Sequence, residues 1–286
     1  MLKVTECFLN ALACPDCLGN ISEGNNSQIV CDLCQREFEV IENSIISMLP
    51  SQKTAFPEIY NDPEYLQAKK QISEIFQYSY QENSLIAYIH NSYHRWHQRL
   101  LCKQWAENKW IVDLGCGPGT HFSFLSKAMS SFFIGMDGNI DLLLKCSKNF
   151  PHIQLVLGDL CRLPFKTNHF HYSLSFSVLE HIYFLEKALD EVFRVLQSDG
   201  FFHVSLPTEG GFLWGAGRFW TTQRTFEKKK INYKKLIQIE HCNTAKNVLK
   251  KLDHRWTSIN SSYYPFGLPS IHLNLFLNRI YKKYDS

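Results

Sequence analysis

The sequence predicts an α/β protein in which helices cover both faces of a sheet, preceded by a small metal-binding segment. Strand-like and helix-like stretches alternate without interruption from residue 109 to residue 206, and a glycine-rich loop directly follows the first strand. Two Cys-x-x-Cys pairs occur within the first 50 residues. We therefore divide the chain into a zinc ribbon (1–50), a helical connecting or cap segment (51–108) and an α/β domain (109–286) with an insertion at 207–241.

Composition excludes several classes of protein. Of the 286 residues, 45% are hydrophobic and 14% aromatic, which is enough for a sizeable core and excludes intrinsic disorder as the main state. The 30 Lys and Arg nearly balance the 27 Asp and Glu, whereas a chain that wraps nucleic acid usually has a larger basic excess. No apolar run reaches the roughly 18 residues of a membrane span, so we expect no transmembrane segment. The pattern of the ten cysteines indicates a reducing compartment, and we expect a cytoplasmic location.

The two Cys-x-x-Cys pairs indicate a structural zinc site. Each pair directs two thiolates at one point, and two such turns complete a tetrahedral shell of sulfurs with no position left open for catalysis. Because a segment this small buries little surface, the metal would supply much of its folding free energy. The alternatives are a redox dithiol, for which the segment lacks a thioredoxin-like βαβ unit, and a site that no longer binds metal. The predicted metal ligands are Cys14, Cys17, Cys31 and Cys34.

The glycine-rich loop predicts a cofactor site. Residues 110–114 form an apolar strand, Gly115-Cys116-Gly117-Pro118-Gly119 follows at once, and a helical run extends from Thr120 to Met129. Strand, glycine loop and helix N-terminus together direct backbone N–H groups at a ligand that approaches closely. A dinucleotide fingerprint would have its third glycine at position 120, where the chain has Thr120, so the spacing favours S-adenosylmethionine over NAD.

Two further strands end in acidic residues suited to a nucleoside. The second strand ends in Asp137, eighteen residues past Gly119, where one carboxylate can accept hydrogen bonds from both hydroxyls of a ribose. The third strand, residues 153–157, precedes Asp159 and Leu160, whose side chain and backbone N–H can hold an adenine edge. A fourth strand (170–177), a helix (184–196) and a fifth strand (200–206) continue the alternation.

These motifs, in this order, resemble those of class I S-adenosylmethionine-dependent methyltransferases, in particular the methyltransferase type 11 group with its ubiquinone and menaquinone biosynthesis enzymes. The resemblance covers residues 109–206 and implies a Rossmann-like sheet of seven strands, the last antiparallel, with strand six at 256–264 and strand seven at 271–280 after a helix at 242–252. It implies that the cofactor is bound by Asp113, Gly115, Cys116, Gly117, Gly119, Asp137, Gly138, Asp159, Leu160 and Phe176. The first 50 residues also resemble short zinc-ribbon proteins that accompany some bacterial and tRNA-modifying methyltransferases, and the N-terminal ribbon of ribosomal-RNA guanine methyltransferases.

The segment after strand four supplies the candidate catalytic residue. His181 follows this strand on the substrate side, and histidine titrates near neutrality, so it is a candidate general base. Equally, Glu180 and His181 could cap or pack the next helix. The insertion at 207–241 is placed to line an acceptor pocket, because ligands of α/β sheets bind beyond the carboxyl ends of the strands.

The sequence favours an S-adenosylmethionine-dependent methyltransferase acting on a small-molecule or carrier-linked metabolite. A first alternative is an RNA base methyltransferase that uses the ribbon and the lysine-rich run at 228–235. A second is a catalytically inactive module that binds cofactor and recruits a partner. The acceptor, the methylated atom (O, N or C) and the oligomeric state stay open.

Overall fold

The structure is a computed structural model. It describes residues 5–24, 28–52, 58–69, 88, 92–93, 95–96, 109–124, 133–219, 223–228 and 231–283. Within these ranges the dominant element is one twisted sheet of nine strands, next to a small three-stranded sheet near the N-terminus. The strands are β1 (Ile21–Glu23), β2 (Ile29–Cys31), β3 (Glu37–Phe38), β4 (Val40–Ile41), β5 (Ile45–Ser47), β6 (Ile111–Leu114), β7 (Phe133–Asp137), β8 (Gln154–Leu157), β9 (Phe170–Phe176), β10 (Leu196–Pro207), β11 (Thr257–Tyr264) and β12 (Phe276–Lys282).

The large sheet contains the seven strands that the sequence predicts. Its order is β11-β12-β10-β9-β6-β7-β8-β5-β4, in which β6 to β12 are the strands of the α/β domain. Strands β6 to β10 pair in parallel, and β12 runs antiparallel to both of its neighbours. The predicted seven-stranded sheet with an antiparallel last strand is therefore confirmed.

Helices cover both faces of this sheet. They are α1 (Glu6–Leu9), α2 (Ile140–Asn149), α3 (Leu185–Val195), α4 (Phe212–Arg218), α5 (Arg224–Lys228), α6 (Tyr233–Glu240) and α7 (Ala245–Arg255). Alternate residues of a strand face opposite sides, and the two cores follow this rule. In β6, Val112 and Leu114 join the core under α3 and α7, whereas Ile111 joins the core under α2.

The N-terminal segment adds the two outermost strands of the large sheet. Strands β4 and β5 form a hairpin, and β5 pairs in parallel with β8, the outer strand of the predicted seven. The Met48 N–H continues this pairing by donating to the Leu157 carbonyl at 2.8 Å. Phe8 and Leu12 are buried in the same core as Phe165. The sequence does not predict this extension, and the division of the chain at residues 50 and 108 stays a prediction.

One predicted helix boundary near the C-terminus is wrong. The helix predicted at 242–252 begins at Ala245, because the Thr244 hydroxyl caps it by accepting a hydrogen bond from the Asn247 N–H. The two polar residues before the cap, Cys242 and Asn243, therefore belong to the preceding loop.

The boundaries of strand seven are also wrong. The strand predicted at 271–280 is Phe276–Lys282. The Asn274 side chain closes a turn before it by donating to the carbonyls of Leu268 and Ser270, both at 2.8 Å. A hydrogen-bonded turn at this place delays the start of the strand.

Part of the remaining prediction lies outside the described residues. The predicted helix at 120–129 is described only as a 3₁₀ helix over Thr120–Phe124. Of the predicted helical segment 51–108, the described part includes a helix at 63–69 whose residue Tyr65 packs in a core shared with the insertion. Among the described residues, none of the helices is long and apolar enough to cross a membrane.

Candidate cofactor and acceptor site

The glycine loop is fastened to the end of the neighbouring strand β7. The backbone N–H groups of Gly115 and Cys116 both donate to the Met136 carbonyl, at 2.7 and 2.9 Å. The Cys116 side chain is buried, and burial raises the pKa of its thiol, so this residue faces the core and offers only its backbone to a ligand. The loop is therefore rigidly placed at the carboxyl edge of the parallel strands, where ligands of α/β sheets bind.

Backbone conformation explains why this loop needs glycine. Gly115, Gly117 and Gly119 have φ values of +82°, +54° and +76°, which side chains of L-residues rarely tolerate. A Cβ on Gly115 would lie 2.4 Å from Val178 Cγ2, so the segment after β9 packs directly on the loop. A Cβ on Gly117 would meet nothing within 4 Å, so this peptide borders open space that a ligand can enter.

Asp137 connects strand β7 with the loop. Its Oδ2 accepts from the Gly117 N–H and its Oδ1 from the Asn139 N–H, both at 2.8 Å. Burial, opposed by these hydrogen bonds, raises the pKa of Asp137. A carboxylate has about four lone-pair positions, so two remain for hydroxyl donors. Gly138 follows directly, and a Cβ there would lie 3.5 Å from the Gly158 carbonyl oxygen at the end of β8.

Asp113 lies beneath the loop as a fully buried carboxylate. Within the described residues, neither of its oxygens accepts a hydrogen bond, although His121 Nε2 lies 3.3 Å from Oδ2. A buried carboxylate without hydrogen bonds costs free energy unless a donor completes it. A bound cation or N–H donor at the loop would supply such a partner.

The remaining predicted cofactor residues lie at the same edge of the sheet. Asp159 Oδ1 accepts from the Cys161 N–H at 2.8 Å, which shapes the turn after β8. Leu160 is buried in the core shared with the N-terminal segment. Phe176 ends β9, and its ring meets His121 edge-on with centroids 5.2 Å apart. These residues therefore lie on loops and strand ends along one edge of the sheet, and their binding of a cofactor stays a prediction.

The loop after β9 carries the predicted catalytic residue. Residues Leu179–His181 form one 3₁₀ turn directly after Val178. His181 Nδ1 lies 2.7 Å from the Glu240 carbonyl oxygen, and because a carbonyl only accepts, this nitrogen carries the proton. Burial and the neighbouring His241 lower the pKa of His181. The ring keeps 38% of its side-chain surface exposed, so solvent limits this effect.

Glu180 is almost completely buried beneath His181. Its Oε1 lies 3.9 Å from His181 Nε2, and its Oε2 has no hydrogen-bond partner among the described residues. Burial raises the pKa of Glu180 to about 8, so the side chain is mainly a neutral acid at pH 7. The turn that carries both residues is held from below by Asn243, whose amide donates to the carbonyls of Leu179 and Ile182.

The insertion contributes a polar network that sequence reasoning does not predict as a site. His241 Nδ1 contacts Glu209 Oε2, Glu209 contacts Arg218, and Arg218 Nε donates to the Tyr233 hydroxyl at 2.6 Å. The His241 ring meets the His181 ring edge-on with centroids 4.6 Å apart. One feature of the sequence could have indicated this network. The run Glu240-His241-Cys242 lies at the end of the insertion, which is expected to line the acceptor pocket.

The four cysteines of the N-terminal segment converge. All four sulfurs lie within 4.8 Å of one another, with 3.8 Å between Cys14 and Cys34 and 3.5 Å between Cys17 and Cys31. A tetrahedral zinc site with bonds of about 2.3 Å requires sulfurs about 3.8 Å apart, so the spacing fits zinc. A Cβ on Gly19 would lie 2.8 Å from Cys31 Sγ, so glycine is needed there for the sulfurs to close in.

Comparison with known proteins identifies the fold and the domain. A chain of the complex between the Haloferax volcanii Trm112 methyltransferase activator and a methyltransferase has a TM-score of 0.53 and 14% identity, over 75% of this chain and 97% of that chain. The [4+2]-cyclase SpnF has a TM-score of 0.50 and 12% identity, over 68% of this chain and 81% of that chain. At such identities the likeness shows the fold alone.

Residues 112–204 match the family model described as a methyltransferase domain. Over this range, which lies within the large sheet, the chain is a methyltransferase domain. A protein of Mycolicibacterium smegmatis named as a probable S-adenosylmethionine-dependent methyltransferase is 25% identical over 129 residues, 45% of this chain and 49% of that protein. The uncharacterised protein MJ1252 of Methanocaldococcus jannaschii is 29% identical over 157 residues, 52% of this chain and 60% of that protein. The chain thus spans about half the length of these relatives, and the resemblance read from residues 109–206 is confirmed.

Proposed function

We propose that the chain transfers a methyl group from S-adenosylmethionine to a small-molecule or carrier-linked metabolite. The observation that carries this proposal is the link between the methyltransferase domain's glycine loop and Asp137, where the Gly117 N–H donates to Oδ2 at 2.8 Å beside open space. This geometry gives a nucleoside both a carboxylate for its ribose and a backbone that it can approach closely.

The residues at the loop fit this cofactor. We assign the ribose to Asp137, the adenine edge to Asp159 and the Leu160 N–H, and the wall of the site to Gly138 and Phe176. The cofactor's ammonium group matches the buried Asp113 carboxylate, which accepts no hydrogen bond from the described residues. The backbone of the glycine loop would lie along the amino-acid part of the cofactor.

Catalysis then depends mainly on alignment. The bound cofactor supplies an activated methyl group on a sulfonium, and the chain holds the acceptor in line with it. His181, three residues after the Val178 side chain that covers Gly115, stays a prediction for the acceptor side of the site. The Val178 side chain, which packs on the loop, would also help to keep water away from the reacting atoms.

The insertion supports an acceptor of limited size. Glu209, Arg218 and His241 expose only 12%, 15% and 14% of their side chains, so this part of the insertion is closed against solvent and does not form an open polar groove. The RNA alternative draws on the lysine-rich run, but Lys235 is paired with Asp62 and Glu64, both at 2.9 Å, and is not available to phosphates. Lys251, on helix α7, contacts Glu186.

We also propose that residues 1–50 form a structural zinc ribbon in a cytoplasmic protein. The convergence of the four sulfurs supports the metal. The nine cysteines that the structure describes are all free thiols, as a reducing compartment requires. Residues 51–108 then connect the ribbon to the methyltransferase domain and contribute to the cap over the insertion through Tyr65, which donates to Glu240 Oε1 at 2.6 Å.

The test has a binding arm and a transfer arm. Calorimetry should show S-adenosylmethionine binding to the wild-type chain, a loss in Asp137→Ala, and no change in Asp141→Ala, an exposed acid four residues further on. Wild-type chain is then incubated with methyl-labelled S-adenosylmethionine and cell extract, and the extract is separated into RNA, protein, lipid and metabolite fractions. Label in the metabolite or lipid fraction supports the proposal. Label in RNA supports the alternative, and binding without any transfer points to the inactive module.

A further inference from the structure

The polar network of the insertion lies at the same edge of the sheet as the cofactor loop. Strand β10 ends at Pro207, two residues before Glu209, and it pairs with β9, which leads into Val178 and His181. Val178 in turn packs on Gly115. The His241 ring contacts the His181 ring, which connects Glu209 and His241 to the segment that packs on the loop.

The contacts within the network follow one another from Tyr233 to His241. Tyr233, buried on α6, receives a hydrogen bond from Arg218; Arg218 contacts Glu209 Oε1; and Glu209 Oε2 contacts His241 Nδ1. Arg218 also lies over the Trp214 ring, 5.5 Å from its centroid. Each residue holds the next one in place, and the last group of the network is the His241 imidazole.

The contact with Glu209 decides which nitrogen of the neutral His241 ring carries the proton. Burial alone would raise the pKa of Glu209, but the hydrogen bond with His241 and the charge of Arg218 lower it. Because a carboxylate accepts, His241 Nδ1 donates, and in the neutral ring Nε2 has the lone pair. The ring keeps 14% of its side-chain surface exposed. A histidine oriented by a carboxylate is the arrangement of a general base.

His181 lacks this support. Its Nδ1 lies 2.7 Å from the Glu240 backbone carbonyl oxygen and 3.7 Å from the Glu240 carboxylate, which is further than the 2.5 Å between His241 Nδ1 and Glu209 Oε2. Its Nε2 lies 3.9 Å from the buried Glu180 carboxyl. An imidazolium at His181 would therefore gain less stabilisation than one at His241. His181 instead forms a wall that fixes the orientation of the His241 ring.

We propose that His241 is the general base of the reaction and that it takes a proton from a hydroxyl group of the acceptor, with Glu209 as its positioning residue. This inference rests on the proposed methyl transfer. A hydroxyl is a weak nucleophile until its proton leaves, and a base near neutrality meets that need. Arg218 is engaged by Glu209 and Tyr233, and it therefore helps to hold Glu209 in place behind His241.

The step balances without a further reactant. The acceptor's O–H proton passes to His241 Nε2 while an oxygen lone pair forms a bond to the methyl carbon. The bond between that carbon and the cofactor's sulfur breaks, and its electron pair returns to sulfur, which yields S-adenosylhomocysteine and a methyl ether. The positive charge on His241 is stabilised by Glu209, and the proton then leaves to water.

The test compares His241→Asn, Glu209→Gln and His181→Asn with the control His254→Asn, an exposed histidine on α7. Asparagine can still donate to Glu209 from near the Nδ1 position, but it has no basic nitrogen. The probe is methyl-labelled S-adenosylmethionine with the metabolite fraction of a cell extract. Boiling hydriodic acid then releases methyl groups bound to oxygen as volatile methyl iodide, stronger heating releases those bound to nitrogen, and those bound to carbon are left.

We expect label that hydriodic acid releases, and a rate about 10²- to 10⁴-fold lower in His241→Asn, with calorimetric S-adenosylmethionine binding unchanged. The wild-type rate should rise with pH to a plateau, whereas the His241→Asn rate should rise in proportion to hydroxide. Glu209→Gln should lose less of the rate than His241→Asn, and the pH at which its rate reaches the plateau should shift. Because Glu209→Gln keeps His241, it serves as the test variant if His241→Asn does not fold.

Three results would overturn the proposal: a methyl group on nitrogen or carbon, a plateau retained in His241→Asn, or a larger loss in His181→Asn than in His241→Asn. Each of these leaves methyl transfer intact. Failure of the proposed function is recognised separately, because the wild-type chain itself would then bind no S-adenosylmethionine or transfer no label.

Discussion

Gly117→Ala is the most selective test of the cofactor site, because it adds one methyl group and keeps the hydrogen bonds of the loop. The Gly117 N–H that donates to Asp137 is retained, and the added Cβ meets no protein atom within 4 Å. At φ +54°, an L-residue costs about 1–2 kcal/mol of stability. For a chain of this size that corresponds to a fall of about 2–8 °C in Tm.

Cofactor affinity should fall by more than this strain explains. The methyl group would enter the space where we place the bound nucleoside, and overpacking of this kind costs about 1–3 kcal/mol. We therefore expect a Kd for S-adenosylmethionine about 5- to 150-fold higher than in the wild type. Calorimetry measures this Kd directly, and thermal denaturation without cofactor measures the strain.

Gly267→Ala is the matched control. Gly267 lies in the loop between β11 and β12, has a φ of +72°, and a Cβ there also meets nothing within 4 Å. This variant should show a similar fall in Tm and an unchanged Kd. An equal Kd in Gly117→Ala and the wild type would refute the reasoning, because the space beside the loop would then not hold the cofactor.

Two further predictions concern stability. Glu180→Gln should become more stable than the wild type as the pH rises. The pKa of Glu180 is about 8 in the folded chain against an ordinary 4.5, so between these pH values the folded chain keeps a proton that the unfolded chain releases. The wild type therefore loses a few kcal/mol of folding free energy over this pH range, and the glutamine variant does not. Urea denaturation at pH 5 and pH 8 checks this, and the exposed Glu186→Gln should keep the wild-type dependence; equal pH dependence in both variants would contradict the assignment. Cys31→Ser should abolish binding of one zinc per chain and cost about 4 kcal/mol or more, roughly 10 °C in Tm, whereas the exposed Cys7→Ser should change neither. Metal analysis by mass spectrometry with thermal denaturation decides, and a stable, zinc-free Cys31→Ser would argue against a structural metal.

Much of the sheet could be predicted because its signals are local. The glycine loop after β6 and the acid at the end of β7 each follow from a few neighbouring residues, and both lie where the sequence places them. The start of strand seven could not be predicted, since it depends on a turn in which Asn274 bridges residues six and four positions before it. Side-chain hydrogen bonds of this kind are not visible in hydrophobic periodicity.

The acceptor side of the site was harder to predict for the same reason. Glu209 and His241 are 32 positions apart and meet through an insertion whose sequence has no strong period. Likewise, Asn243 supports the turn at 179–182 across more than 60 positions. Such contacts depend on tertiary packing, so the sequence predicts that the insertion lines an acceptor pocket but does not indicate which of its residues contact one another.

The position of the ribbon makes the zinc and cofactor predictions separable. Strand β8 is the outer strand of the methyltransferase domain's own seven, and its end leads into Asp159 and Leu160. An unpaired outer strand is prone to aberrant pairing, and here β5 covers it, while the Ala13 N–H donates to the Pro164 carbonyl just beyond Leu160. Zinc loss should therefore weaken cofactor binding through the adenine side without touching the glycine loop. Gly117→Ala should also raise the Kd, but with the zinc content unchanged at one per chain. Measuring the Kd and the zinc content in both Gly117→Ala and Cys31→Ser therefore distinguishes the two routes.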